Sequence, residues 1–347
     1  MENDEVFEKH AKAIEARRVV LHAIASAPHD ATCILLSGGL DTSIIAEAIG
    51  GRKFVDAITV SCGRDITNPK HDLTYAQEIA HRAKMAHHVV SIADTLSIMD
   101  PSPSGALHLA VKTLETFDPM ELRGGVAIAR ALLHAKSLGI TSIVTGDGAD
   151  EMFAGYSFVT NLSEEKLQAW RNRAANHMQF CATKLGQALG ISVYQPFIQP
   201  DVVAFALSCT KDDLVATHGG AVHGKFVLRA AFPEAFSRWR DKVPLETGAG
   251  TTPLGKLFKE PPTFDQDRQR VLDQDGITLR NAEHMHYYAV FRSIFGPPED
   301  GTEWTCRVRR HDSDPCLQCG FQLDRLDQYF CKTCGAWPAR ATLPPSS

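Results

Sequence analysis

A short apolar run, Cys33-Ile34-Leu35-Leu36, leads directly into Ser37-Gly38-Gly39-Leu40-Asp41-Thr42-Ser43, and helical patterning follows over 44–49. No other feature constrains the fold as strongly. Four apolar residues between turn formers are too few for a helix and suit a buried strand. The two glycines let the backbone curl so that successive N–H groups point inward, and the helix adds the partial positive charge of its N-terminus. The result is an anion site, with Ser37, Thr42 and Ser43 as hydroxyl donors. Asp41 would repel a polyphosphate unless a cation stood between them, so the loop predicts Mg²⁺ held by Asp41 and phosphate oxygens together. A glycine turn capped by Ser and Asp is the plainer alternative.

Further strands are predicted over 54–62, 88–92 and 140–145, alternating with helices over 5–27, 74–85, 106–117 and 126–138. This alternation argues for an α/β fold: a parallel sheet covered by helices on both faces. Residues 151–295 are patterned as a mostly helical extension, for example over 202–208, 225–232 and 282–295. The glycine- and proline-rich stretch 296–303 is the expected linker. It divides a catalytic domain (1–295) from a small cysteine-bearing unit (304–340), and a Pro/Ser tail (341–347) is expected to be disordered.

Composition narrows the function. The chain has 347 residues, 44% of them hydrophobic, with 36 basic and 41 acidic side chains and a net charge of −5. These are the proportions of a soluble globular protein. No apolar run approaches the ~18 residues of a membrane span, and the charged start does not resemble a secretory signal, so a cytoplasmic protein is expected. The mild acidity disfavours nucleic acid as a partner.

A second loop follows the predicted strand at 140–145: Thr145-Gly146-Asp147-Gly148-Ala149-Asp150-Glu151-Met152-Phe153-Ala154-Gly155-Tyr156. In a parallel sheet it reaches the same carboxyl edge as the first loop. Three carboxylates packed among glycines need cations or donors to meet them; the plainer reading is a solvated acidic turn.

Ser37 to Ser43 resembles the pyrophosphate loop of the N-type ATP pyrophosphatases (PP-loop proteins of adenine nucleotide alpha hydrolase-like fold). The second string is similar to the signature of the asparagine synthetase C-terminal domain and its relative β-lactam synthetase. Asp72-Leu73 with His87-His88, Glu115-Thr116-Phe117-Asp118 with Arg123, Pro196-Phe197, Lys225 to Arg229, and Trp239-Arg240-Asp241-Lys242 with Gly248 and Gly250 agree with that family in order and spacing. Glu115 to Asp118 with Arg123 resembles its substrate-side segment.

The resemblance implies an ATP-dependent carbon–nitrogen ligase that activates a carboxylate as acyl-adenylate, releases pyrophosphate, and passes the acyl group to ammonia or another amine. It places Leu36, Val60, Thr145 and Gly146 against ATP. It matches Asp41 and Asp150 to the Mg²⁺-holding aspartates, Asp147 to a carboxylate acting on the amine or the intermediate, and Lys242 to a lysine that stabilises developing charge. The family's glutamine-using members carry a catalytic cysteine after the initiator and a glutaminase domain. Here Glu2 follows Met1, so ammonia is expected from solution or from a separate glutaminase partner. Thr247 stands where the late loop normally has an aspartate, which leaves acyl acceptor and amine open. The alternatives are a PP-loop enzyme adenylating a nucleobase of RNA, or a catalytically silent interaction protein.

Five of the nine cysteines fall in the last fifty residues. Cys316-Leu317-Gln318-Cys319-Gly320 and Cys331-Lys332-Thr333-Cys334-Gly335 form two Cys-x₂-Cys-Gly knuckles, the spacing of a structural zinc ribbon, against which disulfides or a redox pair are the competing readings. The ribbon reads as a stabilising appendage or as a docking point for a protein partner.

Overall fold

The computed structural model describes residues 12–48, 54–63, 71–241, 243–297, 315–325 and 328–341. In chain order its first elements are α1 (Ala13–Ala25), β1 (Cys33–Leu35), α2 (Leu40–Glu47), β2 (Asp56–Cys62), α3 (Asp72–Arg82) and β3 (Ala86–Ile92). Then come α4 (Ala106–Leu114), α5 (Pro119–Ser137), β4 (Ser142–Val144), α6 (Ala149–Met152), α7 (Glu164–His177), α8 (Cys181–Leu189) and β5 (Ser192–Tyr194). The series continues with α9 (Pro200–Ser208), β6 (Ala216–His218), β7 (Ala221–His223), α10 (Phe226–Ala231), α11 (Phe264–Asp275) and α12 (Ala282–Phe295). The chain forms two compact units, residues 1–93 with 131–250 and residues 94–130 with 251–347.

The first unit is built on five parallel strands in the order β3-β2-β1-β4-β5. β1 lies between β2 (Cys33 opposite Asp56) and β4 (Cys33 opposite Ile143). The chain builds outward from β1 through β2 to β3, then returns to the other side of β1 for β4 and β5. The strand order therefore reverses between β1 and β4, which is where open α/β sheets form their clefts. Ile34, Leu36, Ile44, Ile45, Ala57, Val144, Phe153 and Phe197 pack in one core. α1 covers it with Ala13, Ala16, Val20, Ala23 and Ile24, buried at the three- and four-residue spacing of one helical face.

The predicted parallel α/β sheet is present, with local differences. α2 starts at Leu40 because Gly39 already takes the extended N-cap conformation. β5 falls inside the stretch patterned as helical: Gly190, with φ of 74°, stops α8, and three residues then add to the sheet edge. The β6–β7 hairpin is a second departure, its turn made by Gly219 and Gly220, both at positive φ.

In the second unit Phe117 is fully buried, its ring stacked on His284 at 5.3 Å and edge-on to Tyr288 and Phe291 at 5.1 and 5.0 Å. α4 ends at Leu114, short of the predicted 117, because Glu115 adopts a left-handed φ of 53°. Arg123 grips buried Glu283 with two N–H donors, at 2.8 and 2.5 Å, and Tyr287 donates to the same carboxylate at 2.9 Å. Arg123→Ala is expected to cost about 3 kcal/mol in urea unfolding, the low end for breaking a buried ion pair, because Tyr287 keeps its bond. Most of the predicted linker (from residue 298), residues 304–314 of the cysteine unit and residues 342–347 lie outside the described residues.

Candidate active site

Both glycine–carboxylate loops leave the carboxyl ends of neighbouring strands, the first from β1 and the second from β4. Leu36 continues β1: its N–H donates to Ile58 at 2.9 Å, and its carbonyl accepts from the Thr59 hydroxyl at 2.7 Å. Val60 lies further along β2 and is buried. At Gly38 the chain turns with φ of +73°, and a Cβ there would sit 2.6 Å from the Asp72 carbonyl oxygen and 2.9 Å from the Ala76 nitrogen. Both neighbours are backbone and cannot swing away. Gly38→Ala is expected to cost at least about 2 kcal/mol and to weaken nucleotide binding by isothermal calorimetry.

Ser37 Oγ accepts from the Gly39 N–H and lies 3.3 Å from the Thr42 hydroxyl. Ser43, in contrast, is fully buried and donates to Glu47 at 2.5 Å, so its hydroxyl serves the interior. Gly146 brings the second loop against the first: a Cβ there would lie 3.0 Å from the Asp41 Cβ and 3.1 Å from the Thr42 Cγ2. Thr145 is buried, its N–H bonded to the Tyr194 carbonyl at 3.1 Å.

The carboxylates converge on a lysine. Lys225 Nζ lies 2.6 Å from Asp41 and 2.9 Å from Asp150, and all three side chains are almost wholly buried. Lys225 itself adopts a left-handed φ of 57° at the start of α10, its N–H held by the Phe153 carbonyl at 2.9 Å. Gly155 lies close beside this pair: a Cβ there would run into the Asp150 carboxylate and the Lys225 stem and displace one of them.

Asp147 is held differently, accepting from the Thr145 hydroxyl at 2.7 Å and from Gln195 Nε2 at 2.8 Å on the same oxygen. Burial pushes its carboxyl above the usual carboxylate range, and the nearby charges of Asp150 and Asp41 add to the rise, against those two hydrogen bonds. Glu151 is also raised by burial, while the Tyr156 hydroxyl donates to it at 2.6 Å and opposes the rise. Arg229 is pushed down to about 10 by burial, against the pull of Asp41, Asp241 and Asp150.

The family model described as asparagine synthase matches residues 19–189, a stretch that contains both loops and β1 to β4. That stretch is an asparagine synthase family domain. The chain is 25% identical over 296 residues to the glutamine-hydrolyzing asparagine synthetase of Zea mays, covering 78% of this chain and 49% of that protein. To asparagine synthetase B (glutamine-hydrolyzing) of Escherichia coli it is 26% identical over 305 residues, covering 80% and 52%. The chain thus spans about half the length of these relatives. Among solved structures, the NH₃-dependent NAD synthetase of Campylobacter jejuni aligns with 53% of this chain and 78% of its own, at 17% identity and a TM-score of 0.27. No helix among the described residues is long and apolar enough to cross a membrane.

Past the matched asparagine synthase stretch, the segment that begins at Ser237 is tied to the first glycine loop. Ser237 Oγ donates to the Gly38 carbonyl at 2.6 Å. Arg240 pairs with Asp72 at 2.9 Å and lies over the Tyr75 ring at 4.1 Å. The backbone of Gly248 packs directly on the Asp72 carboxylate, leaving no room for a Cβ. Lys242, which the resemblance places in catalysis, lies outside the described residues; Thr247 is exposed on a one-turn helix over Leu245–Gly248.

Sequence reasoning quoted Lys225 without a role and overlooked Gln195 and Ser237. The signal for Lys225 was its position in Gly224-Lys225-Phe226, since Gly224 is packed so tightly on the Ala154 carbonyl that a Cβ would overlap it.

In the second unit Cys316, Cys319, Cys331 and Cys334 are buried with their sulfurs all within 4.8 Å of one another, a group able to hold a metal ion. The Cys316–Cys334 and Cys319–Cys331 sulfur pairs are each 3.7 Å apart, and no disulfide joins any described cysteine. Gly320 and Gly335, with φ of 70° and 72°, close the two knuckles in matching conformations.

Proposed function

We propose that this chain uses ATP to activate a carboxylic acid as its acyl-adenylate and passes the acyl group to ammonia or another amine, as an amide ligase of asparagine synthetase type. The observation that carries this reading is the meeting of the two glycine–carboxylate loops at the reversal of strand order, with Lys225 between Asp41 and Asp150. Phosphate oxygens would be received by N–H groups of the turn at Gly38 and the start of α2, with the hydroxyls of Ser37 and Thr42. Leu36, Val60, Thr145 and Gly146 border the nucleotide. Asp41 and Asp150 present hard carboxylate oxygens that suit Mg²⁺, which when bound would neutralise charge on the pyrophosphate.

The acid's carboxylate oxygen attacks the α-phosphorus, the bond to the β-phosphate oxygen breaks, and pyrophosphate leaves. Lys225 and Lys242 supply positive charge where charge builds on these oxygens. The amine then attacks the acyl carbon, AMP departs, and Asp147 takes the amine's proton. Its raised pKa makes it a better proton acceptor than an ordinary surface aspartate. Ammonia would come from solution or from a separate glutaminase.

A screen of carboxylic acids with ATP, Mg²⁺ and an ammonium salt tests this reading. Acid-dependent release of AMP and pyrophosphate in equal amounts is expected. ADP and phosphate as products, or AMP release that answers only to added tRNA, would overturn it.

A further inference from the structure

We propose that Cys316, Cys319, Cys331 and Cys334 bind zinc, and that the knuckle at 331–335 clamps the turn at Thr116–Asp118, so that metal occupancy sets the shape of that turn. Zn–S bonds of about 2.3 Å arranged tetrahedrally put sulfurs about 3.8 Å apart. The two sulfur pairs at 3.7 Å already have that spacing.

The second knuckle is bonded through a row of its carbonyls to the rest of its unit. The Thr116 hydroxyl shares its one proton between the carbonyls of Lys332 and Thr333, at 2.8 and 3.1 Å, and Oγ1 accepts from the Asp118 N–H at 3.0 Å. The Phe117 N–H donates to the Thr333 carbonyl at 2.8 Å. Arg280 donates to the Gly335 carbonyl at 2.7 Å and to that of Cys334 at 2.9 Å. The carbonyls of four consecutive residues, 332 to 335, are all taken in this way. Gly335 completes the fit: at φ of 72° a Cβ there would fall on the Asp118 carboxyl, which would have to shift.

The turn needs this support. Glu115 sits at φ of 53°, a conformation that non-glycine residues hold only when their surroundings impose it. The knuckle's shape in turn depends on Cys331 and Cys334 converging on one point. A small metal-bound module folds with its metal, and the shape of its carbonyl row goes with it. From sequence the ribbon reads as a stabilising appendage or a docking point; these hydrogen bonds make it part of the structure that orders Thr116, Phe117 and Asp118. Coupling of this kind is reciprocal, so the turn must also stabilise the metal.

The test uses the full chain, loaded with zinc and then stripped by a chelator, and does not depend on the ligase reading. Amide exchange at Phe117 is expected to rise by at least about 30-fold on stripping, while β1 and β4 keep their protection. Thr116→Val, which leaves the cysteines intact, is expected to weaken zinc about fivefold in chelator competition, with Thr116→Ser within about twofold of the natural chain. Failure of the chain to bind zinc would overturn the proposal. So would unchanged Phe117 exchange after complete stripping, equal loss of protection in β1 and β4, or equal zinc affinity in all three chains.

Discussion

Lys225→Met is expected to destabilise the first unit by about 3–5 kcal/mol and to abolish measurable ATP-dependent pyrophosphate release. Asp41 and Asp150 are both buried, and both have an oxygen within 3 Å of one ammonium. Removing that ammonium leaves two buried carboxylates facing each other across its place, with less positive charge to offset their mutual repulsion. The loss should be smaller for Lys225→Arg, which keeps the charge but not the room, since Gly155 packs on the lysine stem. If the point between the two carboxylates is a cation position, millimolar Mg²⁺ should raise the melting temperature of Lys225→Met by more than that of the natural chain. Equal responses to Mg²⁺ would count against a metal role for this pair of aspartates.

Asp147→Asn should separate activity from stability in the opposite sense. Asparagine can accept the Thr145 and Gln195 hydrogen bonds through its carbonyl oxygen but cannot take up a proton from an attacking amine. Amide formation is expected to fall by at least about 100-fold. The folded protein should nonetheless become more stable at neutral pH. The carboxyl's pKa is raised in the folded state, so its contribution is fully present below the unfolded aspartate's pKa and is lost as pH rises through the raised folded value. The variant carries no charge to penalise and escapes that loss. Its advantage in urea unfolding should be small at about pH 3.5 and reach the order of 1 kcal/mol at about pH 8. Equal stability at both pH values would show that Asp147 is not held at a cost in the native fold.

Local strings were the most readable part of this chain. Ser37 to Ser43 and Thr145 to Tyr156 carry their own geometry, because glycines at φ of +73° and +91° fix where the backbone bends. The alternating pattern before residue 145 was legible for the same reason: apolar runs of strand length alternate with helical faces. β5 was hidden because three residues carry too little periodicity to distinguish a strand from the end of a helix. Long-range pairings were hidden more deeply. Lys225 is 184 positions from Asp41, and Thr116 is 216 from Lys332, so no local pattern announces either contact. The cysteine spacing foretold four thiols gathered closely enough to hold a metal, but which carbonyls face outward, and toward what, depends on tertiary packing.

Exchange of labelled pyrophosphate into ATP tests the central claim most directly, measured with Mg²⁺ and a panel of carboxylic acids but without any amine. The account predicts exchange that requires an acid, disappears in Lys225→Met, and survives in Asp147→Asn even as amide formation collapses. Exchange that is independent of any acid, or amide formation with no exchange beneath it, would contradict an acyl-adenylate formed at these two loops.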